Sequence, residues 1–306
     1  MKYTLIIPHY NDTTRLERLL KSVPVFRADL EVIVIDDCSP DQRALSILKQ
    51  SWPKVIWQST PKNSGAGAGR NIGLLNASGK YLIFSDSDDE FSPNAFDVFD
   101  ENVEGKNDLF YFLAEGRQEV DGTTSVRAGR LNAICLEYLE KKTHSSLEKL
   151  RLEHVVPWAK VYSKEAVSKL DIRFEETRVS NDISFNVLAA LQIKNIKVIP
   201  EVVYKVYRRR GSLTADPTAE AFLERMEVSA RLSTKLKYLN SSYTRSAIGY
   251  IVRSFSYDLD TVLKAIYIGI FSDLKLSVFT ALNPWRWFSF LHTHLSDKRE
   301  KKSADK

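Results

Sequence analysis

Four short apolar runs recur along the first third of the chain: Tyr3 to Ile7, Glu31 to Ile35, Val55 to Gln58 and Tyr81 to Phe84. These runs read as strands, and the uninterrupted Tyr81 to Phe84 as a buried one. Helical patterns lie between them. Leu16, Leu19, Leu20 and Val23 share one face of the first, and Leu45, Ile47 and Leu48 mark the second. Strands alternating with helices predict βαβ units, hence an α/β fold with a doubly wound, mostly parallel sheet. Each strand runs into a polar loop, 8–12, 36–41 and 61–65. Parallel sheets open their ligand crevice at the carboxyl ends of the strands, so these loops share the rim of one pocket.

The fourth strand runs directly into Ser85-Asp86-Ser87-Asp88-Asp89-Glu90. Carboxylates packed this closely repel one another. The repulsion is relieved if a divalent cation bridges Asp86 or Asp88 to the oxygens of a phosphate. The other reading is a solvated turn capping the next helix, near Ser92 to Phe96.

Upstream, Asn63 to Gly73 holds Gly65, Gly67, Gly69 and Gly73. A dinucleotide fingerprint would need its third glycine at position 70, where Arg70 stands, and Gly79-Lys80 is followed by Tyr81 rather than the Ser or Thr of a P-loop. What remains is a small-residue loop entering a helix, with Arg70 in the first turn. Arg70 then forks onto a phosphate, holds an aspartate of the acidic run, or is an ordinary surface arginine. Asp182 opens the helical stretch Ser180 to Leu188, where a carboxylate is favoured by the helix dipole and reads as a cap. Two further strands, Lys197 to Pro200 and Val202 to Tyr207, lead into Arg208-Arg209-Arg210-Gly211-Ser212.

At 306 residues and 43% hydrophobic content the chain can bury one large domain and a smaller appendage. Cys38 and Cys135 have no metal-like spacing and suggest no disulfide framework, which favours a reducing cytoplasm. The apolar run at the N-terminus is too short for the core of a signal peptide. The apolar stretch from Val262 to Leu282 is interrupted by Lys264, Asp273 and Lys275, so no transmembrane helix is expected. The net charge of +5 is concentrated in two knots, Arg208 to Arg210 and Lys298 to Lys302, rather than in a stripe interleaved with aromatics. That argues for phosphate groups as partners and against nucleic acid. Helical patterns over 219–239 and 245–263 place a domain boundary near 216. Trp285, Trp287, Phe288 and Phe290 beside Arg286 and the second knot read either as an interfacial anchor for anionic lipid or as a helical lid.

The ordered set Ile6-Ile7-Pro8-His9-Tyr10-Asn11, Val34-Ile35-Asp36-Asp37-Cys38-Ser39, Gly69-Arg70-Asn71-Ile72-Gly73, Gly79 to Asp89, Trp158-Ala159-Lys160-Val161-Tyr162, Asn181-Asp182 and Tyr207 to Ser212 resembles the family 2 inverting glycosyltransferases of GT-A fold. The resemblance covers roughly the first 215 residues. It implies a GT-A domain over 1–215, with a nucleotide-sugar half at about 1–104 and an acceptor half at 105–215, followed by a helical region over 216–306. It implies a nucleotide-diphosphate sugar donor, with a UDP-sugar favoured, and a glycan or lipid-linked acceptor in cell-surface polysaccharide synthesis at the cytoplasmic membrane face. Pro8 and Tyr10 would line the base pocket, and Asp37 would accept a hydrogen bond from the base. Arg70 would secure the diphosphate, and Asp86 would lie near the ribose. Asp88 would hold Mn or Mg. Arg208, Arg210 and Ser212 would fold over the diphosphate, with Arg209 facing solvent. Asp182 would be the general base, and Trp158 would stack on an acceptor sugar unless it is a core tryptophan. Two positions depart from the family pattern: Asn181 stands where Glu is common, and Cys38 where Gly is usual. A sugar-nucleotide nucleotidyltransferase would need a basic glycine-rich loop near the first strand, where Pro8 to Asn11 stands instead. A degenerate scaffold would not need Asp37, Asp86, Asp88 and Asp182 together.

Overall fold

The four apolar runs form β1 (Tyr3–His9), β2 (Leu30–Asp36), β3 (Ile56–Ser59) and β4 (Tyr81–Phe84), parallel neighbours in the order β3-β2-β1-β4. This is a computed structural model, and it describes residues 1–208, 218–239, 243 and 245–275. Between these strands lie α1 (Thr13–Lys21), α2 (Gln42–Ser51) and α3 (Gly65–Asn76). Asp12 and Asp41 cap the first two by accepting from the amides of Arg15 and Ala44. Leu16, Leu19 and Leu20 are buried under α1. On α2, Leu45 and Leu48 are buried, but Ile47 is 58% exposed. It lies about 200° round the helix from Leu45, so it could not share that face.

Beyond β4 come β5 (Glu90–Phe91), α4 (Ala95–Asn102), β6 (Leu109–Gln118), α5 (Gly129–Lys141), α6 (His144–Glu153), β7 (Lys160–Ser163), α7 (Lys164–Leu170), α8 (Ile183–Gln192) and β8 (Ile196–Arg208). The sheet continues past β4 as β7-β6-β8-β5, giving eight strands. Here β7 runs antiparallel to both β4 and β6, β8 is parallel to β6, and β5 is antiparallel to β8. The sheet is therefore mixed. The two late strands expected on either side of Pro200 are one strand, β8, whose register with β6 slips between Tyr111 and Ala114. That irregularity takes up the proline, which has no amide to give a ladder.

Register fixes the rim. His9 lies beside Asp36, and Asp36 beside Ser59, so the loops after β1, β2 and β3 emerge together. The core beneath them holds Leu5, Ile7, Val32, Val34, Ile83, Phe110 and Phe112.

The chain divides into compact units at Met1–Pro217 and Thr218–Lys306. Within the second, α9 (Ala219–Tyr238), α10 (Ala247–Ser254) and α11 (Leu259–Phe271) pack Phe222, Met226, Ala247 and Ala265 together. The single helix expected over 245–263 breaks before Asp258, whose carboxylate caps α11 by accepting from the Thr261 amide. Among the described residues no helix is long and apolar enough to cross a membrane.

Candidate active site

The glycine-rich stretch is not a loop. Helix α3 starts at Gly65, so Gly67, Gly69 and Gly73 are helical and face protein rather than ligand. A β-carbon on Gly73 would collide with Ile6, and one on Gly67 with the Glu175 carbonyl. These close approaches seat α3 on β1 and lay the 174–181 loop against it. Asn71 fastens that loop: its side chain donates to the Phe174 carbonyl at 3.0 Å and accepts from the Phe174 amide at 2.9 Å.

Asp37 is 3% exposed and spends its carboxylate on structure. One oxygen accepts from the Thr60 hydroxyl at 2.7 Å and the Ser64 amide at 2.8 Å, and the other from the Gly65 amide at 2.7 Å. A carboxylate has about four lone-pair sites, so about one is left for a base. Its neighbour Asp36 is buried and held by the Ser39 amide and hydroxyl. Cys38 between them has φ of 59°, the left-handed region that glycine enters without cost. Pro8 is buried in β1, while Tyr10 just beyond it is 49% exposed.

Arg70 is only 4% exposed. It donates to Asp86 and, at 2.7 Å, to the Asn181 side-chain oxygen, and it lies over the Phe174 ring at 5.4 Å. The arginine therefore holds an aspartate of the acidic run, one of the readings its position left open. Asn181 links the same arginine to the start of α8.

The acidic run does not converge. Asp86 pairs with Arg70, and Glu90 pairs with Arg18 at 3.1 Å. Asp89 is 1% exposed, with one oxygen accepting from the Tyr207 amide at 2.8 Å. Burial first, and then Asp88 and Asp86, push the Asp89 carboxyl well up. Asp88 is half-buried, and its carbonyl accepts from the Arg18 guanidinium. Charge repulsion in the run is thus relieved by two arginines and a buried acid. Among the described residues no group of three or more His, Cys, Asp or Glu side chains converges as a metal site.

Trp158 is 3% exposed and stacks on Tyr204, with centroids 5.4 Å apart and planes 8° from parallel. It has no open face for a sugar, so the acceptor-platform expectation gives way to the core reading. Its contribution reaches the rim indirectly, because the Tyr204 hydroxyl accepts from the Asp86 amide at 3.0 Å. Arg208 ends β8 with an exposed side chain. Arg209, Arg210 and Ser212 lie outside the described residues.

Asp182 occupies the capping position of α8, yet its side chain makes no cap hydrogen bond. The plain-cap reading of this residue therefore does not hold. Burial and Asp86 raise its pKa, while Arg70 and Lys160 oppose the rise. A carboxylate whose pKa is raised by burial and whose side chain is not used as a cap is a candidate for proton transfer.

Three participants carried no expected role in the sequence. Arg18 on α1 ties the acidic run to β8, lying over the Tyr207 ring at 3.9 Å. Tyr204 holds the turn after β4. Lys160 is 1% exposed at the start of β7, a lysine in an apolar strand, and that mismatch was its only signal.

The sequence profile described as Glycosyl transferase family 2 matches residues 4–171, more than half of the chain. The poly(ribitol-phosphate) beta-N-acetylglucosaminyltransferase TarS of Staphylococcus aureus is 27% identical over 217 residues, covering 69% of this chain and 36% of that protein. The minor teichoic acid biosynthesis protein GgaB of Bacillus subtilis is 26% identical over 234 residues, covering 72% of this chain and 24% of that protein. The chain thus spans about a third or less of the length of these two relatives. Among solved structures, TarS 1-349 in complex with UDP-GlcNAc superposes with a TM-score of 0.61 at 22% identity, over 88% of this chain and 79% of that one. The mannosyltransferase PcManGT of Pyrobaculum calidifontis, in complex with GDP-Man and Mn2+, gives 0.54 at 13% identity, over 100% and 88%. The fold is GT-A with a helical C-terminal region, and the chain belongs to glycosyl transferase family 2.

Proposed function

We propose that the chain transfers a sugar from a nucleotide-diphosphate donor, a UDP-sugar in preference, to a hydroxyl of a glycan or lipid-linked glycan in cell-surface polysaccharide synthesis, with inversion at the anomeric carbon. The observation that carries this reading is Asp182: a half-buried carboxylate at a helix start, unspent as a cap, with its pKa raised by burial against the opposing pull of Arg70 and Lys160. The bound UDP-GlcNAc of TarS and the teichoic acid roles named for its relatives support the donor and acceptor classes.

In this reading the exposed Tyr10 ring covers the base, with Pro8 behind it and the remaining lone pair of Asp37 accepting from it. Asp86, held by Arg70, receives the ribose. Arg208, with Arg210 and Ser212, closes on the diphosphate. Asp182 takes the proton of the acceptor hydroxyl as that oxygen bonds to the anomeric carbon. The bond from that carbon to the diphosphate breaks on the opposite face, so one displacement inverts the centre.

Asp88 is the residue assigned to Mn or Mg. The fit rests on its donor chemistry, a hard carboxylate oxygen at the rim, because these ions take one or two carboxylates and fill the rest of their shell from phosphates and water. Absence of a three-ligand cluster among the described residues is compatible with that. When bound, the metal offsets charge on the departing diphosphate. The aromatic and basic residues between 285 and 302, outside the described residues, are assigned to contact with anionic lipid at the cytoplasmic face.

Calorimetric titration of UDP and GDP, with and without Mn, tests the donor site. Tight Mn-dependent binding of UDP that is lost in Asp88→Ala is expected. Binding of neither nucleotide, or binding indifferent to Mn and to Asp88→Ala, would overturn the assignment. Sedimentation with anionic vesicles tests the lipid contact, and recovery of all the protein in the supernatant would remove it.

A further inference from the structure

Behind Asp182 lies a buried polar cluster that the proposed chemistry does not use. The Lys160 ammonium donates to the His154 carbonyl at 2.6 Å and to the Asn186 side-chain oxygen at 2.9 Å, so neither partner is charged. The Tyr162 hydroxyl donates to the same Asn186 oxygen at 2.6 Å. With its oxygen held by two donors, the Asn186 amide turns its nitrogen to the Asp182 carbonyl, donating at 2.8 Å. All three side chains are buried, and the lysine lies 4.8 Å from the centroid of the Tyr111 ring.

A buried lysine on neutral acceptors is costly, and the cost is usually avoided by a carboxylate partner. Here Asp182 faces it from the start of α8 and Cys135 from α5, with Tyr111 on β6 and His154 at the end of α6 completing its surroundings. Asp182 in turn is faced by Arg70 from α3, Asp86 from the turn after β4, and Lys160 from β7. The chain Lys160–Asn186–Asp182 is therefore both a mechanical link and an electrostatic one.

We propose that Lys160 is a positioning residue for Asp182: through Asn186 it fixes the first turn of α8 so that the carboxylate stays off the helix amides and toward the acceptor, and its buried charge steadies the ionised base. The proposal rests on the assignment of Asp182 as the base. Burial draws the lysine down to about 7, so it carries its charge below that pH.

The test follows UDP release from UDP-N-acetylglucosamine as a function of pH, with calorimetric UDP affinity as the control, in the parent, Asp182→Asn, Lys160→Met and Asn186→Ala. Asp182→Asn should lose at least about 100-fold in kcat. Lys160→Met should lose about tenfold or more in kcat, with the donor KM and UDP affinity within about twofold, and its acid limb should move to higher pH because a cation facing the carboxylate is gone. Asn186→Ala should lose kcat with its acid limb in place, since the lysine charge remains. If Lys160→Met does not fold, Asn186→Ala decides alone by its kcat. Rates within twofold of the parent, an unmoved acid limb in Lys160→Met, or UDP affinity falling in step with kcat would each overturn the proposal; the last would show that the cluster supports the domain instead. If Asp182→Asn keeps the parental rate, the base assignment itself fails. If only Asp182→Asn is impaired, that assignment stands and the role of Lys160 falls.

Discussion

Asp37 and Asp182 are both aspartates at the opening of a helix, and they are used in opposite ways. The Asp37 carboxylate accepts from the Ser64 and Gly65 amides where α3 begins, and from Thr60 across the loop. It satisfies donors that a helix start would otherwise leave to water, and it sits in the favourable end of the helix dipole. Asp182 has the same opportunity at α8 and does not take it. Its carboxylate is paid for elsewhere, by Arg70 and by the Lys160 cluster. A carboxylate whose lone pairs are spent holds a shape, and one left unspent at a stability cost is available for chemistry.

Substituting each in turn sharpens the contrast. Asp182→Asn should reduce transfer by about 10²- to 10⁴-fold. It should leave stability equal or higher in a urea titration near neutral pH. The sign follows from the raised pKa. Stability from the protonated Asp182 is present below the usual carboxylate range and is lost as pH rises through its folded-state value, so at neutral pH the ionised group is a cost. A marked loss of stability would make Asp182 a structural residue like Asp37 and break the comparison. Asp37→Ala should show the reverse pattern, costing about 2–4 kcal/mol of stability in urea because two amides and a hydroxyl lose their acceptor.

The next effect belongs to the lysine behind Asp182. Its folded-state value is lowered to about 7, so the stability it contributes is complete above the ordinary lysine range and drains away as pH falls toward 7. The difference in stability between parent and Lys160→Met should therefore move against the parent by about 2–3 kcal/mol between pH 9 and pH 7, read from paired urea titrations. The smallest effect lies beside Asp37. Cys38 holds a left-handed φ of 59°, so Cys38→Gly should gain about 0.5–1 kcal/mol in thermal unfolding, the relief being partly offset by the entropy of the unfolded glycine.

The same contrast marks how far the sequence could be read. Strands β1, β2 and β4 and the rim they share followed from apolar runs, because parallel strands buried on both faces leave a strong local signal, while β3 lies at the partly exposed edge of the sheet. Beyond β4 the sheet becomes mixed, and β8 passes through Pro200 on an irregular register, features decided by partners distant in the chain. The chemistry-bearing residues were visible as types in loops. Which of them were already occupied was not visible, because that depends on contacts such as Asn181 with Arg70 and Tyr204 with the Asp86 amide, more than 100 positions apart. The glycines of α3 looked like a ligand loop because close backbone packing and close ligand approach demand the same residue. Trp158 stood at the right place in the order, yet its ring faces Tyr204 inside the core.

The most direct test of a base reserved for a single displacement is the anomer that leaves the enzyme. Proton NMR of the sugar released from an α-linked UDP-sugar, recorded before mutarotation, reads that configuration without knowledge of the natural acceptor. The β-anomer, absent with Asp182→Asn, is the predicted result. Release of the α-anomer would contradict inversion, and with it the role given to the unspent carboxylate of Asp182.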